Sequence, residues 1–169
     1  VDNNTSLEYG GVGHAIIGTL LIVLLTTIAA VPLGIAMAVY LTQSQAKHLG
    51  VVRTVVQALS GLPSVVAGLF ILSAILYPIT KSYSGFMGAL ALTILMIPTI
   101  ARTSEEMLLL ISNELREAGV ALGGTQWRTV AGVVLPAARS GLVTAIILGI
   151  ARIIGETAPI LLVSGGGDA

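Results

Sequence analysis

The sequence predicts an all-α, polytopic membrane helix bundle, and three observations carry that prediction. Charged residues make up 9% of the 169 residues, against about 25% in an ordinary soluble domain. Mean hydropathy is +0.98. The charges are also clustered: none falls between Glu8 and Lys47, from Thr54 to Thr80, or from Ser82 to Ala101. About 20 mostly apolar residues carry a helix across the hydrocarbon core, and each stretch has the length. No segment alternates with period two, so barrel strands are not expected, and helices remain the way to satisfy the backbone in lipid.

The same numbers exclude other classes. Eight bases and eight acids give zero net charge, so there is neither the low hydropathy and high charge of a disordered chain nor the basic face of a nucleic-acid binder. Cysteine is absent, which removes disulfides, thiolate metal sites and cysteine nucleophiles. Val1 stands where a methionine would start a chain, and 1–13 is polar and Gly-rich with no signal-peptide character, which predicts a fragment of a longer protein.

The first span is expected near 15–41. Ala30, Gly34 and Ala38 repeat every four residues along it, spacing that lets helix backbones approach closely in lipid. A link with Lys47 and Arg53 and no acid leads to a second span near 55–77 and a third near 85–101. Residues 102–139 hold eight of the sixteen charges, four of them basic. A fourth span near 140–163 repeats the small-residue spacing at Gly141, Ala145 and Gly149. Of six prolines, Pro32 is the one deep in a run. Basic residues mark the cytoplasmic side, so the 42–53 link and 102–139 are placed there, while the N-terminal tail, the Lys81 loop and the C-terminal tail lie outside. Tyr77, Tyr83 and Phe86 flank the outer loop as interfacial aromatics. Two outside ends predict one missing span at each end, four present of an expected six.

Within 102–139, Asn113 is expected to cap a short helix from Glu114, with Leu115, Ala118, Gly119 and Leu122 on one apolar face. Gly123-Gly124 ends it. Thr125 caps a second helix running through Trp127 to Leu135, and Pro136 marks a change of direction. On periodicity alone this is a solvated loop with surface helices. Glu105 and Glu106 are spaced for structural ion pairs with Arg102, while Arg102 stands equally as a residue of an anion exit.

Arg152 and Glu156 fall inside the fourth span, Arg152 about 18 Å along it from Ser140 at 1.5 Å per residue. An arginine at that depth costs roughly 2.5–3.5 kcal/mol on insertion scales. The pair is four residues apart on one helical face, so it either neutralises itself or serves a permeation path. A guanidinium offers five fixed donors and suits a tetrahedral oxyanion, and a carboxylate beside it can take a proton from a monobasic anion.

Two motifs bring in a family. Glu117-Ala118-Gly119, three residues, Gly123, nine residues, then Val133-Val134-Leu135-Pro136 resembles the cytoplasmic loop of ABC importer permeases: Glu-Ala-Ala, three residues, Gly, nine residues, an aliphatic, any residue, Leu-Pro. Gly119 in place of Ala is the one departure. Ala151-Arg152-Ile153-Ile154-Gly155-Glu156-Thr157-Ala158-Pro159 resembles the corresponding segment of phosphate-specific (Pst) importer permeases, its Ala-Pro ending that of the A-type subunit (PstA). Gly10-Gly11-Val12-Gly13 with Ile17-Gly18-Thr19-Leu20, Val31-Pro32-Leu33-Gly34-Ile35-Ala36, Gly61-Leu62-Pro63-Ser64-Val65-Val66-Ala67-Gly68-Leu69 and Arg102-Thr103-Ser104-Glu105-Glu106 are similar to the same subunit, in order.

The resemblance implies one permease domain over 1–169 of the type I ABC importer kind, in a bacterial or archaeal plasma membrane. It implies a second permease subunit (PstC-like), a cytoplasmic ATPase dimer (PstB-like) and an extracytoplasmic phosphate-binding protein (PstS-like) as partners. In such a system Glu117, Ala118, Gly119, Gly123, Leu135 and Pro136 couple to the ATPase, and Arg152 and Glu156 lie on the phosphate path; Arg102, at the cytoplasmic end of the third span, is a candidate for its exit by position alone. Sulfate or molybdate as cargo, or an ion-coupled secondary transporter, are the competing readings.

The chain itself is not expected to be an enzyme or to bind a cofactor. The P-loop pattern Gly-x4-Gly-Lys-Ser/Thr is missing, since Lys47 and Lys81 follow Ala46 and Thr80. Gly165-Gly166-Gly167 precedes no lysine and reads as a loop. His14 and His48 are isolated, so no metal site is expected.

Overall fold

A computed structural model describes residues 11–44, 47–71, 73–74 and 85–156, and all regular structure among them is helical. Helix α1 (Gly11–Gln43) is apolar around its whole circumference. Its 16–43 portion has a mean hydropathy of 2.5, and only 11% of its most apolar window is buried against the rest of the chain. Ile16, Leu20, Leu24 and Ile28 are bare. A helix apolar on every side that stays uncovered needs an apolar solvent, which is how a lipid-facing helix reads.

Helix α4 (Gly85–Leu109) is the opposite case. It too is long and apolar enough to cross a membrane, but 61% of its window is buried. Helices α1, α2 (Leu49–Ser60), α3 (Ser64–Ile71) and α8 (Arg139–Ile154) all pack on it. Ala30, Ala67, Leu92, Leu95, Met96, Ile100 and Ile153 form the central cluster. The small-residue stripes face this hub. A Cβ on Gly34 would stand 2.7 Å from Ile100 Cγ2, and one on Gly149 would stand 2.9 Å from Ile100 Cγ1, so Ile100 sits between two glycines on two helices. A Cβ on Gly141 would meet Met107 at 2.7 Å, and Ala30, Ala38 and Ala145 are fully buried. Thr26 adds a buried hydrogen bond from α1 to the Ala89 carbonyl, 3.3 Å.

Several boundaries differ from the sequence reading. The helix that carries the third expected span, 85–101, runs on to Leu109, and Arg102, Glu105 and Glu106 neutralise one another along its last turns. Pro98 is therefore as deep in a helix as Pro32. The 55–77 stretch is not one straight rod: α2 begins at Leu49 and turns by 105° into α3 across 61–63. Pro63 has no N–H to donate, and proline disfavours helical geometry in the residue before it.

The fourth run enters through a bent pair as well. Gln126–Ala137 meets α8 at 73°, and the bend falls at Ala138, two residues beyond Pro136. Helix α8 stops at Ile154, where Gly155 N–H and Glu156 N–H donate to the Arg152 and Ile153 carbonyls, each at 3.2 Å. The expected tails, the Lys81 loop, Tyr77, Tyr83, Pro78 and the run from Thr157 through Pro159 to 163 lie outside the described residues.

Candidate functional site

Two groups of residues concentrate the polar chemistry, one inside the bundle and one in 102–139. The interior group centres on Arg152 in the last turn of α8, where a cation suits the negative end of the helix dipole. Its Nη1 donates to the Ser60 carbonyl at 3.3 Å and to Thr99 Oγ1 at 3.2 Å. Ser60 is the last residue of α2, and Thr99 lies on α4, so one guanidinium joins three helices. Among the described residues no carboxylate pairs with it. The shared helical face with Glu156 does not form, because the helix has already ended at Ile154. Among the described residues Nε and Nη2 of Arg152 carry no hydrogen bond.

One turn along α4 from Thr99, Arg102 takes part in a second cluster. Arg102 Nε is 3.0 Å from Glu106 Oε1 and its Nη1 is 3.3 Å from Glu105 Oε2. Arg53 reaches across from α2 and gives Glu105 Oε1 contacts of 2.7 Å from Nη2 and 2.8 Å from Nε. Glu105 is 1% exposed, and Arg53 and Arg102 are 42% and 36% exposed. The ion pairs expected for Glu105 and Glu106 are present, and Arg53, read in the sequence only as an orientation charge, is the residue that reasoning missed. The available signal was an acid embedded in an apolar helix with an unassigned arginine two helices earlier.

The second group is built on α5 (Asn113–Ala121), α6 (Gln126–Thr129), a π-helical turn (Val130–Val134) and α7 (Leu135–Ala137). The cap of α5 is Ser112, not Asn113, and its side chain makes no capping bond. Acidic Glu114 in the first turn still suits the dipole. The helix ends as the glycine pair predicted: Gly123 has φ +88°, its N–H reaches the Val120 carbonyl at 2.9 Å, and Gly124 N–H reaches Gly119 at 3.3 Å, the paired bonds of a Schellman ending. Thr125 caps α6, accepting from Arg128 N–H at 3.4 Å. The helix expected from there to Leu135 widens into the π turn, where Leu135 N–H bonds the Val130 carbonyl. Pro136 has no N–H for the Gly132 carbonyl and its ring would crowd it, so the wider turn relieves both problems.

This unit is tied to the bundle at two helix ends. Arg116 Nη2 donates to the Leu108 carbonyl in the last turn of α4 at 2.7 Å, and Gln126 Nε2 donates to the Gln43 carbonyl at the end of α1 at 3.1 Å. The predicted apolar face of α5 does not pack inward as a whole. Leu122 is 90% exposed and Leu115 and Ala118 are exposed. Gly119 alone faces the neighbouring turn, where a Cβ would stand 2.5 Å from Thr129 Cγ2. That contact accounts for glycine at the one position departing from the Glu-Ala-Ala pattern. Glu117, Gly123 and Pro136 are exposed and Leu135 is half-buried. The unit and the interior group are thus separate along the chain, joined through α4 and α8.

Residues 30–168 match the family described as binding-protein-dependent transport system inner membrane component. The chain belongs to that family. Among curated relatives, it is 45% identical over 157 residues to phosphate transport system permease protein PstA 1 of Mycobacterium tuberculosis (strain CDC 1551 / Oshkosh), covering 92% of this chain and 52% of the relative. It is 43% identical over 156 residues to PstA of Pasteurella multocida (strain Pm70), covering 91% of this chain and 55% of that one. The chain thus spans about half the length of the curated relatives it matches. A solved structure of the MetNI methionine ABC transporter in an inward-facing conformation superposes with a TM-score of 0.79 at 25% identity, covering 85% of this chain and 69% of the other. An amino acid ABC transporter structure, at 21% identity and a TM-score of 0.63 over 86% and 69%, shares the fold. The fold class expected from the sequence, that of a type I ABC importer permease, is the one found.

Proposed function

We propose that this chain is the membrane-spanning part of an ATP-driven importer of inorganic phosphate, in a bacterial or archaeal plasma membrane. The observation that carries the reading is Arg152: a guanidinium inside the helix bundle, held by two neutral acceptors, with no carboxylate on it and its Nε and Nη2 donors open among the described residues. A cation left in that condition by its own chain is matched to a mobile anion. The names of the relatives, phosphate transport permeases over nearly the whole of this chain, supply the identity of the anion.

In this reading Arg152 takes the phosphate oxygens. Glu156, freed from the helix and from any ion pair with Arg152, stands next along the chain to accept a proton from a monobasic anion. Arg102, one turn further along α4, lies toward the exit, tethered by Glu105 and Glu106. The exposed Glu117 and Ala118 and the elbow at Gly123, with Gly119 seating α5 on the neighbouring turn and Leu135 and Pro136 closing the unit, dock on a PstB-like ATPase dimer that hydrolyses ATP. A PstC-like permease subunit and a PstS-like binding protein complete the importer. Movement of the docked unit reaches Arg152 through the bend at Ala138 and along α8.

The test is Arg152→Gln in the full-length protein, with phosphate uptake and co-purification of the complex measured together. Uptake is expected to be abolished while assembly persists; normal uptake would sink the assignment. For the docking face, Glu117→Lys is expected to weaken co-purification of the ATPase, and unchanged recovery counts against that interface.

A further inference from the structure

We infer that Thr99 and the Ser60 carbonyl form a positioning pair that aims Arg152 at the transported oxyanion, which makes Thr99 a determinant of anion capture. The inference rests on the reading of Arg152 given above and adds to it a second residue on a different helix.

Nη1 carries two hydrogens, and its two acceptors, at 3.3 and 3.2 Å, take both. In a guanidinium, Nε–H and one Nη2–H run parallel along the other edge, the fork that engages two oxygens of a carboxylate or phosphate side by side. Holding Nη1 fixes the plane and the direction of that free fork. An arginine side chain otherwise carries about 2 kcal/mol of rotamer entropy.

The chemistry of the two acceptors also separates positioning from direct binding. Thr99 Oγ1 donates its own proton to the Leu95 carbonyl one turn back, 3.2 Å. It therefore offers Arg152 a lone pair and keeps no proton for an anion, so Thr99 acts through Arg152. Ser60 ends α2, and its carbonyl is one of those a helix C-terminus leaves without an intrahelical donor. Pro63 is the reason it stays open, because the chain turns away at 61–63 instead of continuing the helix. The Gly61-Leu62-Pro63 elbow thereby presents a carbonyl at the partially negative end of α2, where a guanidinium is favoured. Arg53 also ties α2 to α4 through Glu105, which limits how far the elbow can shift along α4 from Thr99.

The experiment uses the full-length permease in its assembled transporter, reading phosphate uptake as KM and Vmax. Thr99→Val keeps the shape and removes the acceptor. It is expected to raise KM about tenfold, the order expected for one hydrogen bond to a charged group, with Vmax within about twofold and the complex assembled normally. Thr99→Ser is expected to restore KM. In an Arg152→Lys background, where no fork remains to be aimed, Thr99→Val is expected to cause no further change. An unaltered KM in Thr99→Val overturns the inference. So does a loss shared by Thr99→Ser, or one equally large in the Arg152→Lys background, since either marks Thr99 as packing alone. Normal uptake by Arg152→Gln would instead remove the parent reading along with this one.

Discussion

The bundle around α4 and the 102–139 unit use the same residue types in opposite ways. In the bundle, Gly34, Gly141 and Gly149 admit large side chains from α4, and Ala30, Ala38 and Ala145 disappear from the surface. In the unit, α5 has no buried residue and Leu122 stands almost fully bare. Glycine there serves backbone geometry at Gly123 and a single close contact at Gly119. The difference follows from what surrounds each region. Apolar side chains facing lipid gain little from burial, so the bundle is held by close packing and by its few polar links. In water an apolar face left bare is unfavourable, and covering it by a docked subunit, as proposed for this unit, would gain the burial energy.

The largest effect on stability is expected for Glu105→Ala, which strips the shared carboxylate from Arg53 and Arg102. Removing one partner of a buried pair costs about 3–5 kcal/mol. With both arginines more than a third exposed, about 3 kcal/mol or somewhat less is expected in denaturant unfolding of the detergent-solubilised protein. A change under about 0.5 kcal/mol, the scale of an exposed pair, would show that water already screens the cluster.

Next comes Gly34→Ala. Its Cβ would meet Ile100 Cβ at 2.8 Å as well as Cγ2, and a branch point cannot swing aside. Overpacking of about 1–3 kcal/mol is expected. Gly149→Ala should cost less, because it meets the movable Cγ1 of Ile100 and Cε of Met96. Equal costs for the two would contradict the account of Ile100 seated between glycines.

Gly119→Ala tests the other region. It should cost about 1–2 kcal/mol and nearly nothing in a Thr129→Ala background, since the clash is with the Thr129 methyl. The Thr129 hydroxyl has no partner to lose. Thermal unfolding of the four proteins closes the cycle, and additive costs would separate Gly119 from Thr129. The smallest effect on stability is expected for Leu122→Ser, within about 0.5 kcal/mol as for exposed sites generally. The same variant should reduce recovery of the ATPase, and a stability loss without reduced recovery would place Leu122 in an internal contact.

Much of this was legible beforehand, and the reason is local. Charge-free apolar runs announced α1 and α4, the glycine pair announced the Schellman ending of α5, and Thr125 announced the cap of α6. Each depends on a residue and its immediate neighbours. The misreadings arose where two local rules compete. Ser112 and Asn113 both suit a cap, and the chain chose the first. Pro136 marks a change of direction and the bend does follow it at Ala138, but the helix ahead of it widens into a π turn where a regular helix is expected.

By itself the sequence determined that this is a helical membrane protein, which segments carry its polarity, and that Arg152 and Glu156 stand out in an apolar run. Hydrophobic spacing, glycine and proline state such things directly, because their effects act over a few residues. Only the tertiary structure decided whom the charges meet. Arg53 finds Glu105 across 52 positions, and Arg152 finds Thr99 and Ser60 across 53 and 92, leaving Glu156 apart. Those choices depend on where the 61–63 elbow places α2 and where α8 ends, and ion pairs and hydrogen bonds act over a few ångströms of space whatever the distance along the chain.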